Sequence, residues 1–542
     1  MKAICQTGSF EAFSMYNAIY VDKTELIYSL VSLPNRIFIS RPRRFGKSLT
    51  LDTIATLFET GVEPYFKGTW IYDKWTEPTY PVFRLSFLNL DNSSMDLFKK
   101  QLNSKITEFA NKISVKGYVE KIEPEDSILS LLEKLEEETR QIVILIDEYD
   151  YQLTSNINND ELYKQFQQKI KRIYANIKDK FAIKFLGITG VTRLKDVAIF
   201  SVGSDIRDIT NSSAYSQMIG FTRDEIKKFY IDYLKLAASY ENNCNVDEVT
   251  DTQIESLLDR LAQNYDGYCF DEFYKKKVFS TWSVNSFFQS IVENKFVFFD
   301  EYWYDNGGLP SILVNYLKTH ELNIFEYLDK DKFLKVSSDD FKNPTALTTI
   351  NQNVLMCQTG YLTLRSDLKK SSTVLLGIPN GEIYKALNRL LANNIFKGKA
   401  DVTDDQGKNL LEEGTVDDII NLFNRALNSV SYDNYPIVSE SSVQNMLKLY
   451  LLGAHQEVLS EVHEAKGRAD LIVNTDIRRI VFEFKYAQNE SEAKTKLSEA
   501  VEQIKSRDYG NILPKKHELL RIAAVFNADP KVRAFTENQI VP

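Results

Sequence analysis

Apolar runs and amphipathic stretches alternate over the first 220 or so residues of this 542-residue chain. Consecutive apolar positions predict strands at Arg36–Ser40, Val82–Phe87, Ile142–Ile146 and Ala182–Ile188. Helical spacing between them predicts helices that include Leu49–Phe58 and Asp96–Ile113. Ile142–Ile146 contains no polar position, as expected of a strand covered on both faces. Strands alternating with helices predict an α/β fold with a mostly parallel sheet over residues 1–221. From 222 to 345 the pattern turns helical. Thr222-Arg-Asp-Glu225 has the form of a capping box, and Ile226, Phe229, Tyr230 and Tyr233 follow at helical spacing. That stretch reads as a helical lid or effector region. Residues 346–405 mix a helix, Asn351–Thr359, with short strands Tyr361–Arg365 and Thr373–Leu376, and read as a small winged-helix-like module. The polar stretch 401–411 marks a boundary. Residues 406–542 then predict a second α/β domain: a helix at 442–454, strands at 457–463, 469–474 and 478–486, a helix at 492–506 and a strand at 520–526.

Composition narrows the partners. The net charge of −9 means that the molecule as a whole repels nucleic acid, so any such binding must come from local basic patches. The four cysteines (Cys5, Cys244, Cys269 and Cys357) are scattered, which argues against a disulfide framework and a zinc site and for a reducing, cytoplasmic setting. No apolar run has the length of a membrane span, and the N-terminal residues lack the pattern of a signal peptide.

The first strand runs into Arg41-Pro-Arg-Arg-Phe-Gly-Lys-Ser48, and a helix follows. Backbone amides converging at a helix N-terminus after a strand make a phosphate cradle. Arg41, Arg43, Arg44, Phe45, Gly46 and Leu49 would form its walls, Lys47 would meet the β- and γ-phosphates, and Ser48 would hold Mg²⁺. The usual glycine five residues before Gly46 is replaced by Arg41, and a basic turn before a surface helix is the competing reading. The apolar strand ending in Asp147-Glu148 favours the nucleotide. On a strand next to the first one, Asp147 would complete the metal shell and Glu148 would serve as general base. A further strand ends in Thr189, placed to sense a γ-phosphate. Arg193 beyond it is a candidate for stabilising transition-state charge, with a solvent-facing arginine in a turn as the equal alternative.

Tyr20-Val-Asp-Lys-Thr24, Arg41–Ser48, Leu145-Ile-Asp-Glu-Tyr-Asp150, Thr189-Gly-Val-Thr192 and Gly220-Phe-Thr222 together resemble the AAA-ATPase-like domain that stands beside a PD-(D/E)XK nuclease domain in many bacterial proteins. The resemblance covers about residues 10–220, and the missing first glycine is usual in that family. It implies ATP binding, hydrolysis and a tendency to assemble into homo-oligomers. It assigns no role to Asp22-Lys23-Thr24, for which a contact near the nucleotide and a packed N-terminal strand remain open.

Near the other end, Glu483 and Lys485 lie two apart on one strand and so share a face. Asp470 lies on the preceding strand, and a turn at Asn474-Thr-Asp-Ile477 would bring it beside Glu483. Carboxylates grouped around a divalent cation, with a lysine to steady hydroxide or phosphate, suit phosphodiester cleavage. A cross-strand ion pair on a solvated sheet is the plainer reading of Glu-x-Lys alone. The region 440–530 resembles the PD-(D/E)XK nuclease core. The resemblance implies Asp470 and Glu483 as metal ligands, Lys485 as the catalytic lysine, Glu461 as a further acid, and Gln503 with Tyr509 as the glutamine–tyrosine element of the RecB-like branch. Mg²⁺ or Mn²⁺ would be the cofactor. Ala469 stands where the family name has proline. His455 and His463 flank the acids at spacings unsuited to a metal. Lys466, Arg468, Arg478, Arg479, Lys485, Lys494 and Lys496 are the cations available for DNA, which is favoured over RNA. The expected protein is therefore an ATPase coupled to a Mg²⁺-dependent nuclease. The alternative is a nucleotide-dependent switch or scaffold whose nuclease-like domain binds without cutting.

Overall fold

The first sheet forms where the unbroken apolar runs put its strands. They are β1 (Asn35–Ser40), β2 (Val82–Ser86), β3 (Ile142–Asp147), β4 (Ile183–Gly190) and the short β5 (Arg207–Asp208). The structure is a computed structural model. It describes residues 1–33, 35–194, 206–303, 311–317, 320, 323–344, 346–396, 405–454, 456–464, 467–507 and 518–542. The chain divides into two units. Met1–Leu322 with Asp331–Ile383 makes the first, and Asn323–Lys330 with Tyr384–Pro542 makes the second.

The first sheet has the order β2-β3-β4-β1-β5, and every pairing is parallel. All eight positions of β4 are buried. This corrects one expectation. The strand ending in Asp147 is not beside β1, because β4 lies between them. An apolar run marks a strand but carries no information on its neighbours. The insertion has a consequence for chemistry. Ile39 pairs with Thr189 and Ile146 with Ile188, so the ends of β1, β4 and β3 stand in a row, with Thr189 in the middle. The next residue must be glycine: a Cβ on Gly190 would lie 2.6 Å from the Tyr149 ring and 2.7 Å from Asp150 Oδ1.

The capping box at Thr222 is present, with both reciprocal bonds between Thr222 and Glu225 formed. Helices Ile231–Asn242, Asp251–Tyr265 and Thr281–Asn294 then bury Leu234, Leu258, Phe287 and Phe288 in a shared core. A small antiparallel sheet follows, with strands β6 (Leu334–Ser337), β7 (Thr363–Leu364) and β8 (Thr373–Gly377) in the order β6-β8-β7. Its first strand precedes residue 346.

Glu382 is buried in this unit. It accepts bonds from Trp303 N–H at 2.7 Å and Ser283 Oγ at 2.7 Å, and burial pushes its carboxyl up to about 8. The folded chain therefore keeps a proton that the unfolded chain has released, and stability falls as pH rises from about 4.5 through about 8. Thermal melting across that window should show the decline. Glu382→Gln, which cannot titrate, should flatten it.

The second unit carries a five-stranded sheet of order β13-β12-β11-β10-β9. Its strands are β9 (Glu457–Glu464), β10 (Gly467–Asn474), β11 (Arg478–Ala487), β12 (Glu518–Asn527) and β13 (Ala534–Ile540). Only β11 and β12 are parallel. On one face Phe482 stacks with Phe484, Phe484 meets Phe535, and Phe482 meets Phe423 from helix Val416–Asn428. On the other, Val481 and Ala523 pack with Ala500 and Ile504 of helix Glu490–Arg507. Residues 405–413 form a helix. Among the described residues no helix is long and apolar enough to cross a membrane.

Candidate functional sites

The turn after β1 enters helix Lys47–Thr60 through Gly46, whose φ of +100° favours glycine and where an added Cβ would meet nothing within 4 Å. Its N-cap, Gly46, supplies no side-chain cap, an arrangement that suits first amides binding an anion. Lys47 is buried, and its Nζ donates to the carbonyls of Arg41 and Pro42, each at 3.0 Å. The turn borders a cavity of about 530 Å³ lined by Arg43–Thr50, Glu148, Gly8, Tyr20, Lys23 and the Met218–Phe221 segment.

Ser48 Oγ donates to Asp147 Oδ2 at 2.5 Å, and Thr189 Oγ1 donates to Asp147 Oδ1. Three residues from three chain segments thus meet at one carboxylate. Glu148 has φ +50°, a strained conformation for a glutamate, and burial raises its carboxyl above the usual range against the pull of Lys47. The next two residues brace the site from behind. Asp150 accepts from Thr192 N–H at 2.7 Å and Thr192 Oγ1 at 2.6 Å, and Tyr149 Oη donates to the Thr192 carbonyl at 3.1 Å.

Two expected arginines lie outside this group. Arg41 is buried, donates to the carbonyls of Ser40 (2.8 Å) and Thr210 (2.7 Å), and lies 4.0 Å over the Phe270 ring. Arg193 is ion-paired to Asp208 and donates to the Lys342 carbonyl at 2.6 Å. Both line a separate small cavity with Pro42, Thr210 and Phe270. The bracing by Asp150 turns the chain at Thr192, which is why Arg193 points to β5. Arg44 lies 3.9 Å over the Trp282 ring, and Phe45 packs edge-on against Tyr268. Asp22 and Thr24 hold the backbone of Trp70 and Ile71, while Lys23, at the cavity, grips both carboxylate oxygens of Glu225 at 2.6 Å.

In the second unit the β10–β11 hairpin pairs Leu471 with Phe482, which sets Asp470 level with Glu483. Asp470 Oδ2 accepts the Phe484 amide at 2.8 Å. Glu483 is fully buried. Lys485 Nζ donates to Glu483 Oε1 at 2.8 Å, while Glu483 Oε2 has no hydrogen-bond partner among the described residues. Burial first, and then the charge of Asp470, raise the Glu483 carboxyl to about 7. A buried carboxylate oxygen left bare, with a second acid beside it, is the donor set a divalent cation would complete.

Glu440, at the start of helix Glu440–Gly453, joins them at 3.5 Å from Lys485 Nζ. Sequence reasoning missed it, because an acid in a first helical turn reads as an ordinary response to the helix dipole. Glu461 is placed level with Asp470 by the β9–β10 register, but its side chain lies outside the described residues, as do those of His463 and Arg468. His455, Lys466 and Tyr509 also lie outside them. Gln503 is half-buried on helix Glu490–Arg507. Among the described residues no three His, Cys, Asp or Glu side chains are grouped so as to hold a metal ion.

Comparison with known proteins agrees with this division. Residues 5–200 match a family described as a predicted AAA-ATPase, and residues 438–535 match the PD-(D/E)XK nuclease superfamily. An uncharacterized protein in the vnfD 5′ region of Azotobacter chroococcum mcd 1 is 26% identical over 527 residues, covering 94% of this chain and 93% of that one. Among solved structures, Cdc6p from Pyrobaculum aerophilum (12% identity, TM-score 0.23) aligns over 68% of this chain and 92% of its own. The Aeropyrum pernix Orc1 protein in complex with DNA (11%, TM-score 0.27) aligns over 71% and 98%. The chain therefore carries an AAA-ATPase-like P-loop domain and a PD-(D/E)XK nuclease-like domain.

Proposed function

We propose that this chain, an AAA-ATPase-like domain joined to a PD-(D/E)XK nuclease-like domain, hydrolyses ATP and uses its nucleotide state to regulate metal-dependent cleavage of DNA. The observation that carries the nuclease half is the bare, buried Glu483 Oε2, held level with Asp470 and salt-bridged through its other oxygen to Lys485.

At the front site Lys47 exchanges the carbonyls of Arg41 and Pro42 for the β- and γ-phosphates. Arg43 and the first amides of the helix bind the rest of the triphosphate, and Thr189 holds Asp147 in register with Ser48. Glu148, its basicity increased by burial, takes a proton from the attacking water. At the rear site Asp470, Glu483 and Glu440 gather on one side of Lys485, whose ammonium steadies the attacking oxygen and the scissile phosphate. When bound at either site, Mg²⁺ neutralises phosphate charge and makes its coordinated water more acidic.

The test is digestion of linear and circular DNA, and of RNA, by the purified chain with Mg²⁺ or Mn²⁺. Cutting of DNA that stops on chelation is the expected result. No cutting of any substrate under either metal, in a chain that binds ATP, would replace the nuclease by a nucleotide-dependent scaffold.

A further inference from the structure

The turn between β1 and helix Lys47–Thr60 is not shaped by its own residues alone. Arg44 has φ +64°, a left-handed conformation that a long side chain adopts only under constraint. Arg41 and Pro42 stand ahead of it, and neither has the backbone freedom of glycine. The four carbonyls from Arg41 to Arg44 each accept from a side chain. Lys47 Nζ takes the first two, each at 3.0 Å. Trp303 Nε1 donates to the Arg43 carbonyl at 3.2 Å, and Thr281 Oγ1 donates to the Arg44 carbonyl at 3.0 Å. A carbonyl turned into a phosphate site repels the anion, so side chains that fix where these oxygens point also fix what the turn offers a nucleotide.

The donors to Arg43 and Arg44 come from the helical region and are tied to each other. Thr281 opens helix Thr281–Asn294, and the ring of the next residue, Trp282, lies 3.9 Å from the Arg44 guanidinium. Ser283 Oγ donates to Glu382 Oε2 at 2.7 Å, and Glu382 Oε1 accepts the Trp303 amide at 2.7 Å. The contacts close a ring that runs from the turn through Thr281–Ser283, Glu382 and Trp303 back to the turn. Gly360 packs behind it: an added Cβ would lie 2.8 Å from Pro42 Cβ and 3.4 Å from Trp303 Cζ2. In the proposed mechanism Lys47 leaves the Arg41 and Pro42 carbonyls for the phosphates. The Arg43 and Arg44 carbonyls keep their donors in the helical region.

We propose that Thr281 and Trp303 are positioning residues of the nucleotide site, which hold the Arg43–Arg44 backbone in its phosphate-binding shape and so couple nucleotide binding to the helical region. The assignment rests on the nucleotide reading of the turn, and its test is separable from that reading. Linkage is reciprocal: contacts that steady the turn for ATP are themselves steadied by ATP. The full chain is titrated with ATP by calorimetry and assayed for phosphate release as the native protein, Thr281→Val, Thr281→Ser and Trp303→Phe. Valine and phenylalanine each remove one donor and keep most of the side chain's shape, so each should weaken ATP binding about fivefold to tenfold. The loss should appear in KM rather than in kcat. Serine keeps the hydroxyl and should restore binding to within about twofold of the native chain. Amide exchange of the native chain needs no variant and decides the matter if a variant fails to fold. ATP should slow exchange in the segments that contain Trp303 and Glu382, neither of which lines the nucleotide cavity. Native affinity in both Thr281→Val and Trp303→Phe, a serine variant as weak as the valine one, or exchange at Trp303 and Glu382 that ignores bound ATP would each overturn the proposal. A native chain that binds no ATP would instead remove the nucleotide site itself, and this assignment with it.

Discussion

Replacing Lys47 by alanine should reduce ATP hydrolysis by at least about a hundredfold and weaken nucleotide binding with it. Lys47 is a buried cation of the turn, and in the folded chain its ammonium spans the Arg41 and Pro42 carbonyls. Alanine removes the charge that meets the phosphates and leaves those carbonyls without a donor. Glu148→Gln should separate binding from chemistry. Glutamine keeps the shape but cannot take a proton, so hydrolysis should fall to a comparable degree while ATP stays bound. Calorimetric titration of nucleotide, beside a phosphate-release assay, distinguishes the two. Unchanged turnover in Lys47→Ala would remove the front site from the account. Arg193→Ala should change turnover far less, because Arg193 is committed to Asp208 and the Lys342 carbonyl.

Lys485→Ala is the second large effect. It removes the cation bonded to Glu483 and Glu440, and cleavage should drop by about a hundredfold to a thousandfold. Asp470→Ala should abolish cutting by removing a cation ligand and the acceptor of the Phe484 amide. Melting curves in the absence of metal check that each variant folds. Residual cutting equal in both variants and in the native chain would identify a contaminant.

The chemistry at the front of the chain was legible because it is local. Gly46, Lys47 and Ser48 stand in one turn, and Asp147 and Glu148 end one apolar strand. The strand order was not, because adjacency in a sheet is decided by crossovers that leave no mark on either strand. Arg41 looked like part of a basic cradle. Its burial is fixed by Thr210 and Phe270, far away in sequence. Asp150, part of the same acidic run, serves as a brace for Thr192, whose contact with it spans 42 residues. In the second unit, the helix Val416–Asn428 has a clear capping box at Thr415 and could have been found. β13 is mostly exposed or half-buried along Ala534–Ile540 and carries no clean alternation. Glu440 was invisible as chemistry because nothing local relates it to Lys485, 45 residues further along.

The central claim is that a phosphate site at each end of one chain works as a coupled pair. The most direct measurement is the initial rate of Mg²⁺-dependent strand cleavage with and without ATP, in the native chain and in Lys47→Ala. The account predicts that ATP changes the native rate and leaves that of Lys47→Ala unmoved. An identical response to ATP in both proteins, or cleavage by the native chain that ignores ATP altogether, would contradict it.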